Sequence, residues 1–364
     1  MLIRSPQQLN NLPNPSNIRF IRLQWLDFSS TLRSHVLPIP HLLSLTKSGR
    51  YHGLSGLNKL LIDSFVAYYD RDKTFTRDQS YRLPDFSSLR QAPSLPNHAT
   101  VFCNFSEDIS TRLPTSSPPP KISHLCPHLS LQNAVREAKE MSLKILVGFE
   151  IEPTRRPTSP TCGSRQAQLS GARNLEANLM LEIFSEITND LHQSGVVQVQ
   201  HFQAEATGNQ FEIVTAPLPP LKAADALVVT REAIRRVCTR GGKWRCRFIR
   251  GGEMNGLYLN ISVVSPAGIT GREEYDGFLA GVLENVDELC ALGMPRPESY
   301  KRTVSGGSCV GSFKAWGTQN REVFVRKKGM GFWEVRFLDH TAQVHLFLGP
   351  LMFAGLDGIR GTGS

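Results

Sequence analysis

The chain has 364 residues, of which 41 are lysine or arginine and 32 are aspartate or glutamate, so its formal net charge is +9 at pH 7. With 40% apolar and 20% charged residues, the composition excludes a chain that is disordered throughout and a collagen-like one. The basic residues are scattered without a run of like charge. This favours a small anionic ligand, such as a nucleotide phosphate or a carboxylate, over nucleic acid.

The cysteines and the N-terminal residues indicate the cellular compartment of the protein. The 7 cysteines are dispersed, with no CxxC spacing, which predicts reduced thiols in a cytoplasmic protein. The first residues lack the apolar run of a signal peptide, and no apolar stretch of about 18 residues occurs. The sequence therefore predicts neither export nor a membrane partner.

The N-terminal third predicts β-structure followed by coil. Residues 17–38 alternate apolar and polar side chains on both sides of a DFSST turn, which predicts a hairpin. Residues 48–125 are rich in Gly, Ser and Pro and predict mostly coil, with a linker at 111–123. The domain boundary is placed in this linker, which gives a small domain over 1–115 and a larger α+β domain over 116–364.

Helices and strands alternate after the linker. Helical periodicity predicts helices over 129–143, 174–193, 222–240 and 276–292. Apolar runs predict strands over 144–152, 257–263, 322–327 and 332–338. Residues 197–215 predict two short strands around a turn at 207–209, and the polar, basic segment 153–173 predicts a mobile loop.

Two carboxylates stand out in the otherwise apolar strand over 144–152. Glu150 and Glu152 are two residues apart, so both side chains share one face of the strand. Burying two carboxylates side by side is unfavourable unless a cation neutralises them, and their oxygens suit Mg²⁺ or Mn²⁺. The alternative is a strand end with solvated carboxylates.

Further charged side chains follow. Glu205 and Glu212 flank a Gly-Asn turn, and Gln210 shares a strand face with Glu212. Later segments add Arg302, Arg321, Arg326, Glu334 and Arg336. Taken singly these are typical of an ordinary hairpin and of surface ion pairs. Together they predict a metal–phosphate site for phosphoryl transfer, in which metals and Arg neutralise charge on the transferred group.

The order of these motifs resembles the glutamine synthetase family, in particular the fungal glutamine-synthetase-like proteins of the FluG type. The resemblance runs from Ile18 to Ile359 and rests on the segments IRFIRLQWLDFSSTLRSHVLP, GFEIE, AEATGNQFEIV, LNISV, AWGTQNREVFVR, WEVRFLD and FAGLDGI. It implies an α+β fold with a small N-terminal β-grasp domain. A catalytic domain follows, built on a curved antiparallel sheet or barrel with flanking helices.

The resemblance also implies an activity. It is that of an ATP-dependent ligase of nitrogen metabolism, which joins ammonia or an amine to the γ-carboxylate of glutamate through a γ-glutamyl phosphate. Mg²⁺ or Mn²⁺ is the implied cofactor, ATP the co-substrate, and a homo-oligomer the implied assembly.

The resemblance to the family implies a role for each residue that matches one of its motifs. The implied metal ligands are Glu150, Glu152, Glu205, Glu212 and Glu334. The implied substrate-binding residues are Gln210 and Arg302, and the implied phosphate-binding residues are Arg321 and Arg326. The implied catalytic residues are Asp63, Arg321 and Arg336.

The sequence departs from the family pattern at several positions. Tyr258 and Asn260 stand where the family has two histidines, and VSGGSCVGSF replaces a flap that carries a glutamate. The chain stops at GLDGIRGTGS where relatives continue with further helices, so the catalytic domain is expected to be C-terminally truncated. Two alternatives stay open: an inactive glutamine-synthetase-like protein with a regulatory or scaffold role, and a different metal–phosphate enzyme such as a guanidino kinase.

Overall fold

In a computed structural model, the chain divides into two compact units, Met1–Ser130 and Leu131–Ser364. The structure describes residues 6–12, 15–48, 52–55, 79–92, 95–106, 122–123, 126–157, 180–205, 210–240, 244–248, 255–264, 272–303 and 310–362. Asp63 and the predicted turn at 207–209 lie outside these ranges.

Over its described residues, the first unit contains a five-stranded sheet and the helix that follows its first hairpin. Its strands are β1 (Phe20–Leu26), β2 (Leu32–Pro38), β3 (His52–Ser55), β4 (Gln79–Gln91) and β5 (His98–Ser106). They lie in the order β2-β1-β5-β4-β3, and β1 and β5 are parallel. Helix α1 (Ile39–Lys47) follows the first hairpin and adds Leu42 to the core beneath the sheet. This is the arrangement expected of the β-grasp domain.

The predicted first hairpin is confirmed, since β1 and β2 pair from Leu26↔Leu32 outward. The Asp27 carboxylate closes its turn by accepting the backbone N–H of Ser29 at 3.0 Å and that of Thr31 at 2.9 Å. The coil prediction for 48–125 was wrong at β3, β4 and β5. Pairing of β5 on both sides overrides the low strand propensity of the region, and β4 accommodates its irregular sequence in a bulge.

The second unit is built on a seven-stranded sheet. Its strands are β6 (Lys144–Ile151), β7 (Thr154–Pro157), β8 (Val199–Ala204), β9 (Phe211–Thr215), β10 (Trp244–Arg247), β11 (Leu257–Val264), β12 (Phe313–Thr318), β13 (Val323–Gly329) and β14 (Phe332–Val335). Seven lie in the order β12-β13-β14-β11-β6-β9-β8, antiparallel except for β12 with β13. Over the described ranges this sheet is open and does not close into a barrel. Strands β7 and β10 form a separate pair, so the loop predicted over 153–173 was wrong at β7.

Further helices accompany these strands in the described part of the chain. They are α2 (Pro127–Glu140), α3 (Met180–Gln193), α4 (Pro220–Thr239), α5 (Arg272–Glu284), α6 (Val286–Gly293) and α7 (Val344–Thr362). The single helix predicted over 276–292 was wrong, because the chain breaks at Asn285, whose side chain donates to the Gly281 carbonyl at 2.9 Å. None of the described helices combines the length and the apolar character needed to cross a bilayer.

Alternation along β14 separates a packed face from a polar face. Trp333 is buried and stacks on Phe278 of α5, with ring centroids 5.5 Å apart. Glu334 is the next residue, so its side chain points to the opposite face of the sheet. The helices therefore cover one side of the central strands, and the charged residues collect on the other.

Candidate active site

Strand register brings charged residues of three strands onto the polar face of the sheet. The pairing of β11 with its neighbours sets Tyr258 opposite Glu150 and Asn260 opposite Glu334. The pairing of β13 with β14 sets Arg326 opposite Glu334. Because directly paired residues share a face, these side chains form one continuous charged surface.

Three glutamates converge at one end of this face. Glu152 comes directly after β6, Glu205 directly after β8, and Glu212 lies in β9. One carboxylate oxygen of each lies within 4.8 Å of those of the other two. We call Glu152, Glu205 and Glu212 the glutamate trio.

Neutral donors hold Glu152 in place. Its Oε2 accepts the backbone N–H of Gly256 at 2.6 Å and the side-chain amide of Gln210 at 2.8 Å. The Gly256 carbonyl in turn accepts Nε2–H of His340 at 3.1 Å. Burial, with the charges of nearby arginines, lowers the pKa of His340 well below its usual value, so this imidazole is neutral. Hydrogen bonds thus orient Glu152 while its charge is not neutralised.

A second amide orients the other two members of the trio. Gln203 is paired with Glu212, and its Nε2 lies 3.0 Å from Oε1 of both Glu205 and Glu212. The ring of His201 is 3.7 Å from Glu212 and is half exposed. The side-chain amide brings the two carboxylates together without supplying a full positive charge.

Burial and mutual repulsion raise the pKa values of two members of the trio. Burial and then repulsion by Glu205 raise the pKa of Glu152 to about 7. Burial and then repulsion by Glu150, Glu152 and Glu205 raise the pKa of Glu212 to about 8. Three oriented carboxylates that repel one another are a donor set that fits a hard divalent ion such as Mg²⁺ or Mn²⁺.

These pKa values predict how the stability of the metal-free protein depends on pH. In the unfolded chain both carboxyl groups lose their protons near pH 4.5, whereas in the folded protein Glu152 and Glu212 keep theirs until about pH 7 and 8. The folded state binds more protons in between, so the free energy of unfolding falls as pH rises. We expect the Tm without metal to fall as the pH rises from about 5 to about 8 and to level off above that, measured by calorimetry. Glu212→Gln should flatten this slope, and an equal slope in that variant would contradict the assignment.

The remaining two glutamates of the face have cationic neighbours. Nζ of Lys328 lies 3.3 Å from Oε1 of Glu150 and 3.5 Å from Oε2 of Glu334. The same Nζ donates to Oδ1 of Asn260 at 3.0 Å, and the Asn260 amide donates to Glu150 at 2.9 Å. Lys328 therefore bridges the two carboxylates.

Two arginines complete the surroundings of Glu334, which is 1% exposed. Nη1 of Arg326 lies 3.0 Å from its Oε2, and Nη1 of Arg336 binds its Oε1. The Arg336 guanidinium lies 4.4 Å from the ring centre of Tyr258. Burial alone lowers the pKa of Arg336, but Tyr258 and Glu334 outweigh it and raise that pKa. Glu150 and Glu334 thus face three cationic side chains.

Arg302 and Arg321 differ in their surroundings. Nη1 of Arg302 donates to the Leu338 carbonyl at 3.2 Å, whereas its Nε and Nη2 are buried with no hydrogen-bond partner among the described residues. The charge of Arg302 acts on the Glu152 pKa in the lowering direction, after burial and Glu205. Arg321 is exposed just before β13, and no hydrogen bond or ion pair joins it to another described residue. Arg302 therefore offers unused donors near the trio.

Most of the residues singled out in the sequence come together on this face. They are Glu150, Glu152, Glu205, Gln210, Glu212, Arg302, Arg326, Glu334 and Arg336. Arg321 is not joined to them by a contact, and Asp63 is not described. Sequence reasoning missed Gln203 and His340 as positioning groups, and it missed Lys328. The available signal for Lys328 was its spacing of two from Arg326, one residue beyond the strand predicted over 322–327.

An open mixed sheet with a glutamate trio and arginines on its polar face is typical of a metal-dependent enzyme that acts on anionic substrates. Residues 124–362 match the family model described as "Glutamine synthetase, catalytic domain". This match covers well over half of the chain, and the protein belongs to the glutamine synthetase family.

Several known proteins resemble the chain along most of its length. Protein fluG of Emericella nidulans is 27% identical over 95% of this chain, which spans 39% of that relative. Type-1 glutamine synthetase 1 of Dictyostelium discoideum is 23% identical over 100% of this chain and 79% of its own length. The solved structure titled "GmaS/ADP complex-Conformation 1" has a TM-score of 0.77 at 21% identity, over 95% of this chain and 80% of that one.

A shorter match has higher identity. Gamma-glutamylpolyamine synthetase GlnA3 of Streptomyces coelicolor is 33% identical over 46% of this chain and 40% of its own length. The structural likeness to GmaS, at its low identity, bears on the fold alone.

Proposed function

We propose that this protein is an ATP-dependent ligase that joins ammonia or an amine to the γ-carboxylate of glutamate through a γ-glutamyl phosphate. The observation that carries the proposal is the glutamate trio, whose carboxylates are oriented by neutral amides and left without a full positive charge. The trio would hold one Mg²⁺ or Mn²⁺ ion. When bound, that ion supplies Lewis-acid stabilisation of negative charge on the reacting groups.

The reaction joins groups that repel one another. An oxygen of the glutamate γ-carboxylate attacks the γ-phosphorus of ATP, and ADP leaves with the electron pair of the broken bond. The amine nitrogen then attacks the acyl carbon, loses a proton, and phosphate leaves with that carboxylate oxygen. Both steps need positive groups placed in advance around anionic oxygens, and for phosphoryl transfer such electrostatic stabilisation supplies most of the catalysis.

The arginines of the polar face fit these demands. Arg302, whose Nε and Nη2 have no hydrogen-bond partner among the described residues, would bind a substrate carboxylate in the bidentate manner of a guanidinium. Arg326 and the exposed Arg321 would contact phosphate oxygens, and Arg336 would act at the reacting end. Gln210, which positions Glu152, lines the glutamate side. We assign Asp63 to the deprotonation of the ammonium acceptor.

The segment that follows Arg302 bears on the identity of the amine acceptor. The flap glutamate of ordinary synthetases is replaced by VSGGSCVGSF, which favours an organic amine over ammonia as the acceptor. The printed name of GlnA3, a gamma-glutamylpolyamine synthetase, supports the same class of acceptor. We also propose that the protein forms a homo-oligomer in the cytoplasm.

A second function is favoured by a separate observation. Tyr258 and Asn260 replace the two histidines of the family pattern, and Lys328 lies between Glu150 and Glu334. This would suit an inactive family member that has kept the fold for a regulatory or scaffold role.

One assay separates the two functions. Phosphate release from ATP is measured with glutamate, Mn²⁺ or Mg²⁺, and a panel of ammonia, alkylamines and polyamines. Release that depends on both glutamate and one amine, and that is lost in Glu152→Ala, is expected for the ligase. Release no higher than in Glu152→Ala with every acceptor, also after Tyr258→His, would support the inactive alternative.

Arg302→Gln tests the predicted glutamate site. Because a hydrogen bond to a charged group contributes about 1.5–3 kcal/mol, we expect the KM for glutamate to rise roughly 10-fold to 100-fold. Mn²⁺ binding to the trio should be retained, since Arg302 forms no hydrogen bond with it. Arg296→Gln, at an exposed position, is the matched control and should leave the KM unchanged. An unchanged KM in Arg302→Gln would remove the residue from the substrate site.

A further inference from the structure

The Glu150–Glu334 pair is built differently from the glutamate trio. Nζ of Lys328 has three acceptors within 3.5 Å, one each from Glu150, Asn260 and Glu334. Two of these contacts are hydrogen bonds, to Glu150 and Asn260, and the third is an ion pair with Glu334. The side chain of Lys328 is 25% exposed and extends from β13 across the polar face.

We propose that the Lys328 ammonium is a built-in cation that takes the place of a second divalent ion, so that the centre binds one metal ion, at the trio. The inference rests on the proposed function only in placing that one ion. Lys328 is then a positioning residue, since its ammonium contacts protein carboxylates and an amide.

Charge argues against an ion between Glu150 and Glu334. Two carboxylates there already contact Lys328, Arg326 and Arg336, so their surroundings carry more positive than negative charge. A divalent ion in the same place would lie within a few ångströms of the ammonium. Like charges at so short a distance repel strongly, and a divalent ion doubles the repulsion of a monovalent one.

The oxygen atoms that could ligate a metal ion here also argue against a second ion. Mg²⁺ requires near-octahedral oxygen ligands. Oδ1 of Asn260 accepts from Lys328, and the Tyr258 ring lies against the Arg336 guanidinium. Both oxygens of Glu334 accept from arginines. The groups on this side of the face therefore do not fit a second metal ion.

The trio shows the contrast that makes the inference specific. Apart from the half-exposed His201 ring, which lies 3.7 Å from Glu212, its contacts are amide donors from Gln203, Gln210 and the backbone of Gly256. These donors orient oxygens and leave negative charge for a metal ion. The same face thus has one end built for an added cation and one end that supplies its own.

Counting bound Mn²⁺ tests the inference without reference to activity. Metal-free protein is titrated with Mn²⁺, and free ion is measured by electron paramagnetic resonance. We expect one ion per chain in the wild type and in Lys328→Arg. Lys328→Met keeps an unbranched side chain of similar length and removes the charge. In this variant we expect a second ion, bound with lower affinity. Lys327→Met, on the neighbouring residue of the opposite face, is the matched control and should bind one ion.

Each other outcome overturns the inference. Two ions in the wild type would show that Lys328 does not close the second position, and would leave the proposed ligase standing. No ion in the wild type would remove the trio as a metal centre, and the proposed function with it. One ion in Lys328→Met would show that another group closes the position. A melting curve for each variant checks folding, and the partial exposure of Lys328 makes these substitutions well tolerated.

Discussion

Replacing Glu152 by glutamine is expected to lower glutamate-dependent ATP turnover by at least about 100-fold and to stabilise the metal-free protein above pH 7. Substitutions around metal ligands already cost about 10-fold to 100-fold in metal affinity or activity, and Glu152 is placed here as a ligand itself. The substitution keeps the size of the side chain and its acceptance of the Gly256 N–H. It removes one charge from the trio.

The gain in stability follows from the same geometry. Burial and repulsion by Glu205 raise the pKa of Glu152 from 4.5 to about 7, so the cost to stability builds up over this pH range and is complete above pH 7. A neutral amide removes this penalty. Turnover and stability should therefore change in opposite directions, which separates loss of a ligand from loss of folding.

Glu182→Gln is the matched control, since Glu182 is exposed on α3. Calorimetry at pH 8 without metal, and phosphate release with Mn²⁺, should both match the wild type for this variant. A Glu152→Gln protein with turnover close to that of the wild type would contradict the assignment of the trio.

Gly281→Ala is expected to lower the free energy of unfolding by about 3 kcal/mol, because it forces apart two helices that pack backbone to backbone. A Cβ at Gly281 of α5 would lie 2.0 Å from the Ala354 carbonyl oxygen and 2.9 Å from the Gly358 nitrogen of α7. Both contacts are to main chain, which cannot rotate aside. Helix α5 also carries Phe278, which stacks on Trp333 beside Glu334, so its displacement would reach the polar face.

Gly361→Ala provides the control for this substitution. The added Cβ would have no atom within 4 Å, and alanine favours the helix by about 0.5–1 kcal/mol over glycine. Thermal unfolding should therefore show a Tm lowered by roughly 5–10 °C in Gly281→Ala and not lowered in Gly361→Ala. Equal melting of the two variants would show that the helices tolerate the extra methyl group.

The elements predicted correctly from sequence are those whose pattern is local. The first hairpin alternates around a turn closed by Asp27, and the strand with Glu150 is an apolar run that has to be buried. The hairpin of β8 and β9 was likewise readable from its alternation. Convergence of Glu152, Glu205 and Glu212 follows once these strands are neighbours, which the motif order implied.

The elements that were missed depend on distant partners. Strand β4 contains Pro84 and several serines, and its pairing with β5 is what makes it a strand. Helix α7 contains Pro350 and four glycines and was not predicted. Its glycines at 355 and 358 are required by the close approach of α5, which no local pattern reveals.

The charge balance of the site is the part least accessible to sequence. Lys328 is one basic residue among many, and its role emerges only when strand pairing places β13 beside Glu334 and Glu150. Likewise, the two unpaired donors of Arg302 are visible only in the folded chain. The residue types that could bind a metal ion were predictable from the sequence. Which of the carboxylates are paired with basic side chains of the protein was not.

The most direct test of the ligase is the fate of the γ-carboxylate oxygens of glutamate. Glutamate labelled with oxygen-18 at that carboxylate is incubated with ATP, Mn²⁺ and the most effective amine, and the released phosphate is analysed by mass spectrometry. Because the carboxylate oxygen attacks phosphorus and departs with phosphate, we expect one labelled oxygen per phosphate released. Phosphate released without that label would show that water, and not glutamate, accepts the phosphoryl group, and would contradict the proposed function.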